Sequence, residues 1–200
     1  ITATTCYGGG EVIDIERSVD LGGSIHSKGV MILTAYLSSV FGKTAKVPLT
    51  TTITFEQSYG GVDGDSASMA EFCAVVSAFS KQANRQDIAI TGSMNQFGEA
   101  QPIGGVNEKI EGFFDVCTIK GRSENQGVII PRANMHNLML RPDVVKAVER
   151  GEFQIWAIDH VTEAIELFMG KPAGEPSDEG SYPIDTVFGI AQAKLNALRK

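Results

Sequence analysis

Two residues have the types and the setting for nucleophilic catalysis: Ser66 and Lys109. Ser66 follows a glycine-rich loop, Tyr59-Gly60-Gly61-Val62-Asp63-Gly64-Asp65. It heads an apolar segment running to about Lys81, in which Glu71 is the single charge before that lysine. A hydroxyl there stands among the unpaired N–H groups of a helix N-terminus, which can stabilise an oxyanion. The same residues suit a plain cap: Asp65, Ser66 or Ser68 can each N-cap, and Ser68-x-x-Glu71 has capping-box spacing. Lys109 lies in a helical pattern where Val106, Ile110, Phe113, Phe114 and Cys117 make one apolar stripe and Glu108 and Glu111 face water. It falls on the stripe's edge, one turn before Phe113 and two before Val116. Such a lysine either snorkels along the surface or, drawn into apolar surroundings, loses proton affinity and serves as a general base for a serine.

Other chemistries find less support. His26, His136 and His160 share no pattern, and Gly64-Asp65-Ser66-Ala67-Ser68 lacks the closing glycine of a nucleophile elbow. The loop looks like the G-D-S-G-G of trypsin-like enzymes, but a helix rather than a barrel strand follows. Gly42-Lys43-Thr44 ends like a phosphate-binding loop, yet Leu37 stands where its first glycine belongs, so Gly42 reads as a helix C-cap. No G-x-G-x-x-G precedes a helix and no H-E-x-x-H exists, so no nucleotide, other cofactor or metal is expected in this chain. Cys6, Cys73 and Cys117 are odd in number and widely spaced, which suits reduced thiols in a cytoplasmic setting.

Those residues need a scaffold, and 200 residues at 42% apolar content can bury a core. Seventeen basic against 24 acidic side chains leave a net charge of -7, which argues against a nucleic-acid surface. The longest near-apolar stretch, Val30–Leu37, is too short to span a bilayer. Alternation predicts strands at Glu11–Glu16, Leu49–Phe55, Asp87–Thr91, Gly127–Ile130 (stopped by Pro131) and Phe153–Ile158. Helices are expected from Ile25 to Phe41, Ser66 to Lys81, Val106 to Cys117 and Val161 to Met169, with turns at Gly22-Gly23, Gly98 and Pro102–Gly105. This alternation implies an α/β class with part of the sheet parallel. Residues 1–170 read as one domain and 171–183 (Lys171–Pro183) as a Pro/Gly/acid linker. Residues 184–200 read as an amphipathic C-terminal helix carrying Ile184, Val187, Phe188, Ala191, Leu195 and Leu198, whose default is to pack on its own domain. The chain opens Ile-Thr-Ala without Met or a signal-peptide pattern and reads as a piece of something longer.

At these residues the chain resembles the proteolytic domain of Lon, the ATP-dependent serine protease. Gly64-Asp65-Ser66-Ala67-Ser68-Met69-Ala70 is similar to the nucleophile motif of the B-type branch. The run T-G-S-M-N-Q-F-G-E-A-Q-P-I-G-G-V-N-E-K-I from Thr91 to Ile110 resembles the family signature that carries the lysine. The 43-residue separation of Ser66 and Lys109 also matches. The similarity runs from about Gly10 to Met169 and includes V-I-I-P-R-A-N and I-D-H-V-T-E-A-I.

The resemblance implies the Lon proteolytic fold, a mixed sheet with packed helices that is shared with GHMP kinases and a ribosomal protein. It implies Ser66 as nucleophile, Lys109 as base and Thr91 as the hydroxyl supporting the lysine. Asp63 matches an acidic residue near the lysine in B-type domains, so an Asp63–Lys109 latch stands beside the simpler reading of Asp63 as a cap or a solvated side chain. Backbone N–H groups around Asp65 and Ser66 would hold the oxyanion. Thr52, Thr54 and Ser93 depart from the A-type branch, which has histidines and an acid there. Polypeptide substrates, a hexameric homo-oligomeric ring, and ATP with Mg for the parent protein are further implications, the ATPase module being absent from these residues. A different class, a catalytically silent Lon-fold binding or scaffolding module, remains the alternative.

Overall fold

A threonine-rich run forms β1 (Thr2–Tyr7), a strand that sequence periodicity does not mark. β2 (Val12–Asp14) is shorter than expected. The Asp14 carboxylate accepts the Glu16 N–H and turns the chain into α1 (Ile15–Ser18), so Glu16 leaves the strand. Gly23 opens α2 (Ser24–Phe41), which closes at Gly42, whose N–H donates to the Ser38 carbonyl. β3 (Leu49–Thr54) follows, then the glycine-rich loop and α3 (Ser68–Ser80). This computed structural model describes residues 1–43, 45–121 and 125–199, so Thr44 of the Gly42-Lys43-Thr44 run and Lys200 of the tail lie outside the described residues.

β4 (Ile88–Ile90) leads to a small antiparallel pair, β5 (Ser93–Met94) and β6 (Ala100–Gln101). Gly105 (φ 69°) starts α4 (Val106–Lys120), which ends at Gly121. β7 (Gly127–Pro131) runs into a 3₁₀ turn over Arg132–Asn137, and Pro142 opens α5 (Pro142–Glu149), another element beyond those expected from the sequence. β8 (Gln154–Ile158), α6 (Val161–Met169) and α7 (Val187–Leu198) complete the order.

The strands form a mixed sheet, β1-β3-β2, with β3 antiparallel to β1 and parallel to β2, and a parallel sheet, β4-β7-β8. The fold is therefore α/β, as expected. α3 lies between α2, α6, α7 and the first sheet, and its Met69, Phe72, Val75 and Val76 are fully buried. That position explains a helix apolar nearly all round. A second core joins α4 to the parallel sheet through Val106, Ile110, Phe114, Val128, Ile130 and Phe153.

Residues 171–183 hold no regular element but are tied to the body. The Ala173 N–H donates to Glu166, and the Val187 and Phe188 N–H groups donate to the carbonyls of Pro172 and Ala173. α7 lies across α3, with Phe188 edge-on to Phe41 and Lys194 Nζ donating to the Ser80 carbonyl. The helix starts later than its apolar pattern, because Thr186 caps it by accepting the Gly189 N–H; Ile184 stays outside and exposed.

Candidate active site

The end of β4 and the start of α3 are pinned together. Gly92 N–H donates to the Ser66 carbonyl at 2.9 Å, and Met69 N–H to the Gly92 carbonyl at 3.4 Å. A Cβ on Gly92 would meet Met69 Cε at 2.0 Å and Pro131 Cγ at 2.8 Å, and φ there is +152°, so this approach requires glycine. Thr91 is held in register by its N–H to the Ile129 carbonyl on β7. The αL residue Gly105 and the buried face of α4 then bring Lys109, in the helix's first turn, against this junction.

Lys109 Nζ donates to Ser66 Oγ at 2.8 Å and to Thr91 Oγ1 at 3.2 Å. Ser66, Lys109 and Thr91 are thus brought together across 43 residues of sequence. Lys109 as a residue is exposed, but its amine end is desolvated enough to hold its pKa below the usual lysine value, with the Asp65 carboxylate opposing that shift. A cleft of about 300 Å³ opens beside the pair, walled by Phe55, Ala67, Ala70, Ala89, Ile90 and Val128. An apolar cleft next to a serine–lysine contact at the head of a buried helix can seat a side chain and present its carbonyl to Ser66.

The plain-cap reading of this turn is not realised. Ala67 is the residue at the N-cap, no side chain bonds the first turn, and the buried Ser68 Oγ has no hydrogen-bond partner. The capping box in this fold belongs to His160 and Glu163 at α6.

Asp63 is exposed, as its solvated reading expects, and does not form the latch to Lys109. Its Oδ1 accepts the N–H groups of Gly64 at 2.8 Å and His26 at 3.4 Å, and its pKa is lowered chiefly by the Gly64 bond. It sits at the N-terminus of α2, with no ion pair to Lys109 and not as a cap on the helix that follows it. The reason is steric and electrostatic. Gly23 leaves the space, since a Cβ there would lie 2.3 Å from Asp63 Oδ1, and the unpaired amides of α2 draw the carboxylate in. The acid that bears on Lys109 is Asp65.

Sequence reasoning passed over a buried cluster behind the same turn: Asp14, Glu16, His26 and Glu71. His26 Nε2 lies 3.1 Å from Asp14 Oδ2 and 3.8 Å from Glu71 Oε1. A lone charge in an apolar helix, Glu71, was the available signal. Among the described residues no grouping of His, Cys, Asp and Glu could hold a metal ion, and no helix is long and apolar enough to cross a membrane.

The family model of the Lon protease C-terminal proteolytic domain matches residues 53–171, which include Ser66, Thr91 and Lys109. The chain belongs to the Lon protease family. It is 53% identical over 169 residues to a putative Lon protease homolog of Escherichia coli, covering 84% of this chain and 29% of that protein. A putative Lon protease homolog of Haemophilus influenzae is 47% identical over 195 residues, covering 98% of this chain and 32% of the relative. The archaeal Lon protease of Pyrococcus abyssi is 38% identical over 117 residues, or 58% of this chain and 10% of that protein. This Lon domain thus spans about a third of the length of the two bacterial relatives. The matching part of the family is its C-terminal proteolytic domain.

Proposed function

We propose that this domain hydrolyses peptide bonds with a Ser66–Lys109 dyad. The observation that carries the reading is the 2.8 Å contact between Lys109 Nζ and Ser66 Oγ at the head of a buried helix. Neutral Lys109 takes the Ser66 proton as Oγ attacks the substrate carbonyl, and then protonates the departing amine. Thr91 fixes the amine's position, and the backbone N–H groups around Asp65 and Ser66, just ahead of α3, hold the oxyanion. Water attacks the resulting ester with Lys109 again as base, which regenerates Ser66. The lowered lysine pKa enlarges the neutral fraction, so activity rises with pH as Lys109 deprotonates. In the longer parent protein we place this chemistry in a cytoplasmic, hexameric ring, with ATP and Mg serving an unfolding module outside these residues. The chain alone then cleaves unstructured peptides and leaves folded proteins intact.

A double-mutant cycle tests the dyad. Ser66→Ala and Lys109→Ala each lower kcat/KM for an unstructured peptide by on the order of a thousandfold, and the double variant loses little more than either. Losses that multiply, or an active Lys109→Ala with circular dichroism unchanged, point to a base elsewhere.

A further inference from the structure

Three carboxyl groups, Asp14 of β2, Glu16 of α1 and Glu71 of α3, surround one imidazole, His26 of α2, in a pocket where each of the four residues is 5% exposed or less. Their hydrogen-bond partners are unequal. Glu16 Oε1 accepts the Phe55 N–H at 2.8 Å and the Thr54 hydroxyl at 3.0 Å, which with the neighbouring amides holds its pKa low despite burial. Asp14 accepts the Glu16 N–H on one oxygen and faces His26 Nε2 at 3.1 Å with the other. Glu71 has the weakest support: Oε1 accepts no hydrogen bond, and His26 Nε2 is 3.8 Å away. One imidazole cannot balance three buried anions. Burial raises Asp14 as well as Glu71, but Asp14 keeps the Glu16 N–H and the closer approach to His26, which leaves Glu71 as the carboxyl that holds the proton. Burial first, then the charges of Asp14 and Glu16, push its pKa up to about 8.

This cluster adjoins the proposed chemistry. Glu71 sits in the first turn of α3, whose N-cap residue Ala67 directly follows Ser66. Phe55 connects the two sides: its N–H bonds Glu16, its ring packs edge-on to His26 at 5.6 Å, and it walls the cleft beside Ser66. The Gly29 backbone of α2 lies against Asp65, a Cβ there meeting Asp65 Cβ at 3.1 Å. A glutamate in a helix's first turn ordinarily ionises and takes up the N-terminal field. Here the same field is the one that an oxyanion at Ser66 needs.

We infer that protonated Glu71 is a positioning residue for this reaction: kept neutral behind the nucleophile turn, it leaves the N-terminal field of α3 to the oxyanion, and its ionisation closes the site at alkaline pH. The inference rests on the serine–lysine reading above. Glu71 touches no reacting atom and acts through α3.

The experiment is the pH profile of kcat/KM for an unstructured peptide, measured for the wild-type chain and Glu71→Gln. The wild type falls about tenfold or more from its maximum on the alkaline side, with a midpoint near the Glu71 pKa of about 8. Glu71→Gln retains activity at pH 7 within about twofold and rises to a plateau instead. A fall that persists in Glu71→Gln, or a folded Glu71→Gln inactive at pH 7, overturns the inference and leaves the dyad standing. Absence of cleavage at every pH in both proteins instead defeats the dyad. Should Glu71→Gln not fold, carbon-13 NMR of the wild type decides. The inference requires the Glu71 carboxyl to titrate near 8 and the Ser66 and Ala67 amides to shift with it. A carboxyl already ionised at pH 6, or amides that ignore it, overturns it.

Discussion

The Ser66 turn separates two polar clusters of opposite design. On the cleft side, Lys109, Ser66 and Thr91 form a short chain of hydrogen bonds in which each side chain has a partner. On the core side, Asp14, His26 and Glu71 approach one another with Asp14 Oδ2, His26 Nε2 and Glu71 Oε1 all buried and lacking a well-aligned hydrogen bond. Partial desolvation lowers a lysine in the first; full burial raises a carboxyl in the second. Both shifts favour the neutral form, but by different margins, because the cleft side is open to solvent and the core side is closed. On each side of one helix N-terminus, burial thus favours the neutral form of the titratable group it holds.

Outside the dyad itself, breaking the junction between the two sides has the largest expected effect. Gly92→Ala forces a Cβ against Met69 and Pro131 and strains a positive φ, so it costs about 2–3 kcal/mol and lowers kcat/KM about a hundredfold or more. Chemical denaturation and peptide hydrolysis on the same samples check both numbers. A fully active, fully stable Gly92→Ala would show that the Ser66–Gly92 contact does not position the nucleophile.

Asp63→Asn sharpens the contrast from the small end. Asp63 belongs to the N-terminus of α2, so the rising limb of the pH profile stays in place and kcat/KM changes by less than about twofold. The folded-state pKa of Asp63 is lowered, so its stabilising effect is present above the unfolded pKa and is lost as pH falls through the folded value. A melting difference between wild type and Asp63→Asn therefore shrinks in acid. Movement of the rising limb to lower pH would restore the Asp63–Lys109 latch.

Much of the cleft side was legible in sequence, because its signals are local. The apolar stripe of α4 places Lys109 on an edge, and the run after Gly64 announces a serine at a helix start. The ends of α6 are read correctly from Val161 and Gly170. Asp63 was misplaced because its partner amide at His26 lies 37 residues away, and the space at Gly23 exists only in three dimensions. The core-side cluster draws its four residues from four elements, none with a shared spacing. β1 was missed because a Thr-rich run shows little alternation of hydrophobicity. α5 was missed although Pro142 at its first turn and buried Val144 and Ala147 were there to be used.

The central claim, that Lys109 activates Ser66, is tested most directly by the rate at which a fluorophosphonate probe labels Ser66, with the modified residue located by mass spectrometry. The wild-type chain should be labelled at Ser66 alone, and Lys109→Ala should label at least about a hundredfold more slowly while keeping its fold. Labelling of Ser66 at the wild-type rate in Lys109→Ala, or no labelling of the folded wild type, would contradict the account.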